Sequence, residues 1–487
     1  MWSNWHIERS KKKEITMKKL LHKWSRLSIE ARSSMAFMIA TFLTKGINFI
    51  TTPIFSRLLT TAEYGEMANY NSWLSVLEPI AVLGLTYAGA FNIGLNEYKD
   101  SRKEYMSSLL GLSNLATIVV FVILFLLKKT GLPFIIMSDS LMMLMFIHFI
   151  FSPAQVFWIT RERYEYRYKK AIVVTFLSAF LGQAMAIVAI LLTPNNHANA
   201  KLWGAEIGTL CVYVGIYIYL IISGKRYVDL KCWKNVLLYA VPLIPHYIAQ
   251  HIMASSDRIM LVNMSGNSAA GIYSLVASIG AIASILWSCV NASLVPYTYS
   301  KFNEKKYEAV NKSVMAVLIP YAILCFCVSL LAPEIIYILA PEEYYSGLNI
   351  VPYFAILAFT QGLYNVFANV EFYYKKTTYI SASTMAATII NIILNAIMIP
   401  QFSFFGASIA TVISSLCLVI FHYYGMKKAL NRIKVYDIRK ILLVLIFCIV
   451  SCLGCNFLYV SRIARYTVVL IVVVILICKH DKLVDYK

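Results

Sequence analysis

Charge is scarce in this chain. Asp, Glu, Lys and Arg together make 14% of its 487 residues, against roughly 25% in a soluble domain. What charge there is leans one way, with 44 Lys or Arg against 24 Asp or Glu. No connection between apolar runs is long enough to fold as a water-soluble module. The Walker loop and the G-x-G-x-x-G turn are both missing, so nucleotide hydrolysis has no seat in the chain. No nucleophile with its base and no metal-ligand cluster stands at motif spacing, which leaves catalytic and metal roles without candidates. Cysteine occurs ten times, mostly inside apolar segments. Cys452 and Cys455 spell C-x-x-C within VLIFCIVSCLGCNFLYV, but without a second pair or a histidine cluster they behave as small hydrophobes.

What fills the chain is apolar: 59% of it is hydrophobic. Windows of about 20 apolar residues, enough for a helix to cross a bilayer, recur fourteen times. Their centres lie near Asn48, Ile80, Ala116, Phe149, Gly182, Val212, Ile252, Ala283, Leu324, Ala358, Thr388, Ile413, Phe447 and Val472. The fold class is therefore all-α and polytopic.

Basic residues orient these spans. With a cytoplasmic N-terminus, inner segments hold 36 Lys or Arg and outer ones 6 (Arg57, Lys128, Lys129, Lys201, Arg462 and Arg465), while Lys45 and Arg258 lie within spans. Positive charge collects on the cytoplasmic side, so both ends are expected inside and the basic balance needs no nucleic-acid partner. Residues 1–32 carry nine Lys or Arg and are followed by a full-length span without an A-x-A cleavage pattern. They read as a retained cytoplasmic extension.

A few polar groups stand inside the spans. Residues 41–66, TFLTKGINFITTPIFSRLLTTAEYGE, read as one long apolar helix with Lys45 near its middle and Arg57 about 18 Å further along. A lysine at mid-bilayer costs roughly 3 kcal/mol on insertion scales, so Lys45 is expected to face water, protein or a ligand, with Asn48, Thr52 and Ser56 on the same side. Arg57 can also be explained by snorkelling to the interface. In the second span Glu78 precedes Pro79, which bends a helix and frees a carbonyl; the carboxylate is expected to pair with Lys45 or to hold a coupling cation.

In the seventh span His246, Gln250 and Asp257 form one stripe, and Tyr247, His251, Ser255 and Arg258 the next. Such a face lines a lumen or, alternatively, makes hydrogen-bonded helix contacts. Asp257 and Arg258, being adjacent, point about 100° apart and need not pair. The tenth span carries Gln361, Asn365 and Asn369 at steps of four, with Glu371 near its inner end; Asn391 and Asn395 do the same in the eleventh. These amides either join helices or touch a sugar. Lys45 and Arg57, twelve apart, recur as His246 and Arg258 at an offset of 201, as in transporters built from repeated halves.

At TKGINFITTPIFSRLLTTAEYGEMANY, with Ser56 to Leu59 and then Tyr64 and Gly65, the chain resembles the Wzx-type polysaccharide flippases, which share a superfamily with multidrug and toxin exporters and the lipid II flippase. PLIPHYIAQHIMASSDRIMLVNMSGNSAAGIYSLVASI, holding Asp257 and Arg258, resembles the start of that family's second half. The resemblance implies two six-helix lobes around a central cavity, residues 33–224 and 236–426 joined by a linker at 225–235, and two extra helices within 427–487. It implies a function too: a flippase, not an enzyme, that moves an undecaprenyl-pyrophosphate-linked O-antigen or capsule repeat unit across a bacterial inner membrane by alternating access.

Lys45, Arg57, His246 and Arg258 are then expected to meet the pyrophosphate, because a phosphate in a low-dielectric cavity needs cationic partners. Asn48, Glu78, Gln250, His251, Asp257, Gln361 and Asn365 are expected to line the cavity or couple an ion. No cofactor is implied beyond a coupling Na+ or H+. Implied partners are the lipid-linked oligosaccharide, membrane lipid, and a polysaccharide polymerase and chain-length regulator. Two rivals stand beside this reading: an ion-coupled multidrug exporter, which would favour acidic cavity groups, and a membrane-embedded polymerase or ligase, for which the outer connections APEEYYSG and TPNNHANAK are short.

Overall fold

Helix follows helix with little between them, because within a bilayer the backbone must satisfy its own N–H and C=O groups. The structure is a computed structural model that describes residues 28–87, 94, 95, 97–130, 137–431 and 433–478. The basic leader up to residue 27 and the tail from residue 479 lie outside the described residues.

The α-helices of the described residues are α1 (Ile29–Leu58), α2 (Thr61–Ala81), α3 (Arg102–Lys129), α4 (Asp139–Tyr164), α5 (Tyr168–Leu192), α6 (His197–Gly224), α7 (Leu230–Ala240), α8 (Ile244–Ser265), α9 (Asn267–Asn303), α10 (Tyr307–Leu330), α11 (Ala332–Leu339), α12 (Val351–Tyr373), α13 (Thr377–Ala429), α14 (Ile438–Leu458) and α15 (Arg462–Cys478). Short 3-10 turns, Val241–Leu243 and Glu342–Ile350, lead into α8 and α12.

Eleven helical stretches among the described residues are long and apolar enough to cross a membrane. The three further spans expected from hydropathy are present in altered form. α2 is diluted by Glu63, Glu66, Asn69 and Asn71, and α15 is only 17 residues long. α13 runs 53 residues but holds two crossings, because Ser403, at φ 51° and ψ −134°, interrupts it. Its limbs lie side by side, with the Asn391 amide donating to the Ser414 hydroxyl at 3.2 Å.

One boundary differs from the sequence reading. Residues 41–66 are not a single helix: α1 ends at Leu58 and α2 begins at Thr61, so the second span lies about ten residues earlier than a centre at Ile80. The cause is a capping box. The Thr60 hydroxyl accepts from the Glu63 N–H, and the Glu63 carboxylate accepts from the Thr60 N–H, satisfying donors that a helix start leaves open. Glu63 also accepts the His197 N–H at 2.8 Å, pinning the start of α6 beside it.

The helices pack in two groups, here called lobes: α1 and α3–α6 in the first, α8–α10 with α12 and α13 in the second; α2 lies between them, mainly against α8 and α9, and α14 packs on α10 and α12. Apolar side chains collect in three cores. One fills the first lobe around Tyr105, Leu109 and Phe157, and one the second around Trp287, Phe359 and Cys448. The third joins the lobes at the end poor in Lys and Arg, here the neutral end, where Phe55, Tyr64, Ile272, Leu339 and Tyr344 meet. Gly65 and Gly271 let α2 and α9 touch there: a Cβ on Gly65 would fall 1.8 Å from the Asn267 carbonyl oxygen, and one on Gly271 2.0 Å from that of Thr61. Toward the opposite, basic end α2 continues along α8, and Leu77, Ala81 and Val82 stay buried in the same core. Tyr87, beyond α2, stacks on Tyr247 of α8 at 4.1 Å and lies 2.6 Å from Nε2 of His251.

Candidate functional site: two chambers sharing a polar helix

α1 turns Lys45, Asn48 and Thr52 toward α9 and α12, and between the lobes lies a chamber of about 660 Å³. Its far wall is polar, with Ser284, Ser288, Gln361 and Asn365 beside Trp287 and Tyr364. A second chamber of about 480 Å³ lies inside the second lobe, lined by Gln250, Asp257 and Arg258 of α8, Asn391, Thr411 and His422 of α13, and again by Gln361, Tyr364 and Asn365. The step-of-four stripe on α12 is thus a wall common to both chambers. Ser284 donates to the Gln361 side chain at 3.1 Å and holds part of that wall in place.

The cations are distributed unequally. Lys45 is exposed to the interlobe chamber, and no ion pair among the described residues includes it. Arg258 lines the second chamber with its guanidinium 5.9 Å from the Tyr273 ring centre, donating to the Ala254 carbonyl at 2.8 Å. Arg57 likewise donates to the carbonyl four residues earlier, that of Pro53, at 2.9 Å. Arg57, however, stands outside both chambers, at the neutral end, donating to the Ile338 carbonyl across the lobes at 3.1 Å. His246 is half-buried beside Tyr247 and lines neither chamber, and His251 faces Tyr87.

Asp257 is buried and already served. The Tyr273 hydroxyl and the Asn395 amide donate to it at 2.6 Å each, and the Thr411 hydroxyl lies 2.8 Å away. It therefore binds α8, α9 and both limbs of α13 together without pairing with Arg258. Glu78 accepts from Thr86 at 3.1 Å and is not brought to Lys45, because α2 starts early and carries Glu78 toward the basic end. Asn48 accepts from Gln183 of α5 at 3.0 Å.

Sequence reasoning passed over Gln183, Tyr87 and the buried pair of Glu371 with His422, whose Nδ1 lies 2.7 Å from Oε2 of the carboxylate. Each of these contacts joins segments from 51 to 164 residues apart, and periodicity within one helix carries no trace of them.

The same arrangement of helices is found in several solved membrane proteins, among them members of the MOP superfamily. A lipid II flippase, MurJ in an inward closed conformation, superposes with a TM-score of 0.67 at 15% identity, covering 92% of this chain and 99% of that one. An inward-facing multidrug transporter of the same superfamily gives 0.58 at 11% identity over 80% and 95%. A superfamily transporter from Pyrococcus furiosus described as having a binding pocket of reverse polarity gives 0.55 at 13% identity over 82% and 95%. The chain is a multi-pass membrane protein, with eleven long apolar helical stretches among the described residues, and shares the fold of these proteins.

Residues 31–302 match the model of the polysaccharide biosynthesis protein family, and the chain belongs to that family. Among curated relatives, the Lsg locus putative protein 1 of Haemophilus influenzae is 21% identical over 374 residues, 74% of this chain and 88% of the relative. An uncharacterized membrane protein of the same organism is 23% identical over 401 residues, 77% and 94% of the two chains.

Proposed function

We propose that this protein moves an undecaprenyl-pyrophosphate-linked oligosaccharide from the cytoplasmic to the periplasmic leaflet of a bacterial inner membrane, with both termini cytoplasmic. The observation that carries this reading is the pair of cations, Lys45 and Arg258, that have no carboxylate partner among the described residues and stand in chambers that share one amide-lined wall. A pyrophosphate out of water is favoured where fixed positive charge replaces its hydration, and a guanidinium holds it by paired hydrogen bonds. Gln361 and Asn365 offer both donors and acceptors, as sugar hydroxyls require.

In this reading residues 33–224 rock against 236–426 and expose the chambers to each side in turn. The Tyr87 contact opens the cytoplasmic side, the broad apolar contact opens later to the periplasm, and a Na+ or H+ gradient drives the cycle. The polymerase and chain-length regulator act on the product outside.

The test is transport of a purified lipid-linked oligosaccharide in proteoliposomes. Lys45→Ala and Arg258→Ala are each expected to reduce translocation by about tenfold or more, the loss that one charge-assisted contact of roughly 1.5–3 kcal/mol implies, whereas Arg258→Lys recovers only part of it. Full transport by Lys45→Ala protein that inserts normally would remove that lysine from the site.

A further inference from the structure

We propose that Glu371 and His422 form a proton-binding site that links the basic-side solvent to the chamber of the second lobe. Glu371 on α12 and His422 on the second limb of α13 have side chains exposed by 0% and 1%, and Nδ1 meets Oε2 at 2.7 Å. The other carboxylate oxygen, Oε1, is buried without a hydrogen-bond partner. Nothing about helix packing asks for this pair, since replacing a buried ion pair by apolar groups is often neutral or stabilising.

Its surroundings connect it in two directions. The imidazole lines the 480 Å³ chamber and stacks on Tyr364 at 5.3 Å. Oε1 presses on Gly425, where an added Cβ would fall 1.9 Å from it. The same Gly425, with Tyr379 and Lys428, lines a separate pocket of about 240 Å³ near the basic end.

The proton balance follows from these contacts. Holding one proton, the pair is neutral whichever partner carries it. A second proton, delivered from water at the basic end past Gly425, binds Oε1 and leaves the pair with charge +1 at the edge of the chamber that holds Arg258. Other titratable or charged groups facing the pair or its chamber are Tyr364 on α12, Tyr379 and Lys428 on the two limbs of α13, Asp257 and Arg258 on α8, and Tyr273 on α9. Asp257 is occupied by its three partners and Tyr273 donates to it, so the unpartnered Oε1 is where a further proton is accepted. By linkage, an anion in the chamber and the proton on the pair favour each other. That last step rests on the pyrophosphate reading above; the proton site itself does not.

The test is infrared titration of the full chain reconstituted in lipid vesicles. On acidification a protonated-carboxyl C=O band is expected to grow, to vanish in Glu371→Gln and to change in His422→Gln. Should either single variant fail to fold, Glu371→Gln/His422→Gln removes both charges together and must lose the same band. A titrating band that persists without Glu371, or wild-type protein with no titrating carboxyl, overturns the proposal. In parallel, inorganic pyrophosphate is expected to bind the wild type with an affinity about 5-fold or more better at the acid end, relative to Glu371→Gln. Absence of pyrophosphate binding in every variant would count against the substrate reading while the infrared result decides the site.

Discussion

Asp257 and Arg258 are neighbours in sequence and separate in role. The aspartate spends its lone pairs on Tyr273, Asn395 and Thr411, while the arginine keeps its guanidinium in the chamber. Tyr273→Phe takes one donor from a buried carboxylate, and a hydrogen bond to a charged group is worth about 1.5–3 kcal/mol. The variant is expected to unfold at lower temperature in detergent while retaining Arg258-dependent transport. Glu165, just past the end of α4, shows the opposite arrangement, a carboxylate surrounded by cations: it meets Arg161 at 3.0 Å, Arg102 at 3.2 Å and Arg167 at 3.0 Å. Burial pushes its pKa up, but hydrogen bonding to Arg161 and the charges of Arg161 and Arg167 outweigh that, and the net shift is downward. A depressed carboxyl stabilises the fold fully above its unfolded pKa and progressively less as pH falls through the folded value. Thermal stability of Glu165→Gln protein should therefore trail the wild type at neutral pH, with the gap closing in acid below the ordinary carboxylate range. From sequence, Arg258 and the amide stripe of α12 could be seen because each lies on one helix. His422 could not, because it sits in the apolar run LVIFHYY and its meaning depends on a carboxylate 51 residues away.

At the scale of the helix, hydropathy was enough to count spans and not enough to end them. The break between α1 and α2 is written in a polar signal, Thr60 with Glu63 three residues on, which an apolar window averages away. The break in α13 was legible as two spans, although Pro400 alone does not make the turn; Ser403 takes the unusual backbone angles, and Gly406 lets the chain pass 2.2 Å from where its Cβ would stand to the Met398 carbonyl. The crossing of α2 on α9 depends likewise on absent side chains. Gly271→Val places two methyl groups against the backbone of Thr61, and overpacking of this kind costs about 1–3 kcal/mol. Since the crossing is the seal between lobes, the cost falls on the conformer closed at the neutral end. A thiol reagent supplied from that side is expected to reach Ser284→Cys in the Gly271→Val background and not in the Ser284→Cys parent.

At the scale of the molecule, two chambers lie between a broad apolar closure at the neutral end and a second one at the basic end. The broad closure merges side chains of both lobes into one apolar core, adding the hydrogen bonds that the Ser56 hydroxyl and the Arg57 guanidinium donate to the Leu339 and Ile338 carbonyls. The second adds the Tyr87 ring and hydroxyl, set against Tyr247 and His251, to the packing of α2 along α8. Neither closure was legible in the sequence, since each is made from helix ends that meet only once the helices have packed. An aromatic stack contributes about 0.5–1.5 kcal/mol beyond its buried area, comparable to the few kcal/mol that separate conformers in transporters of this kind. Tyr87→Ala removes the stack and the hydroxyl together, leaving the broad closure intact. The basic end is then expected to stay open for more of the cycle: thiol labelling of Ser284→Cys from that side should accelerate several-fold while labelling from the neutral side stays unchanged. Transport should slow in the same variant, because a transporter that cannot reclose one side completes fewer turns. Unchanged labelling from the basic side would mean that the contact between Tyr87 and His251 does not hold the lobes together there, and that closure at that end belongs to other residues.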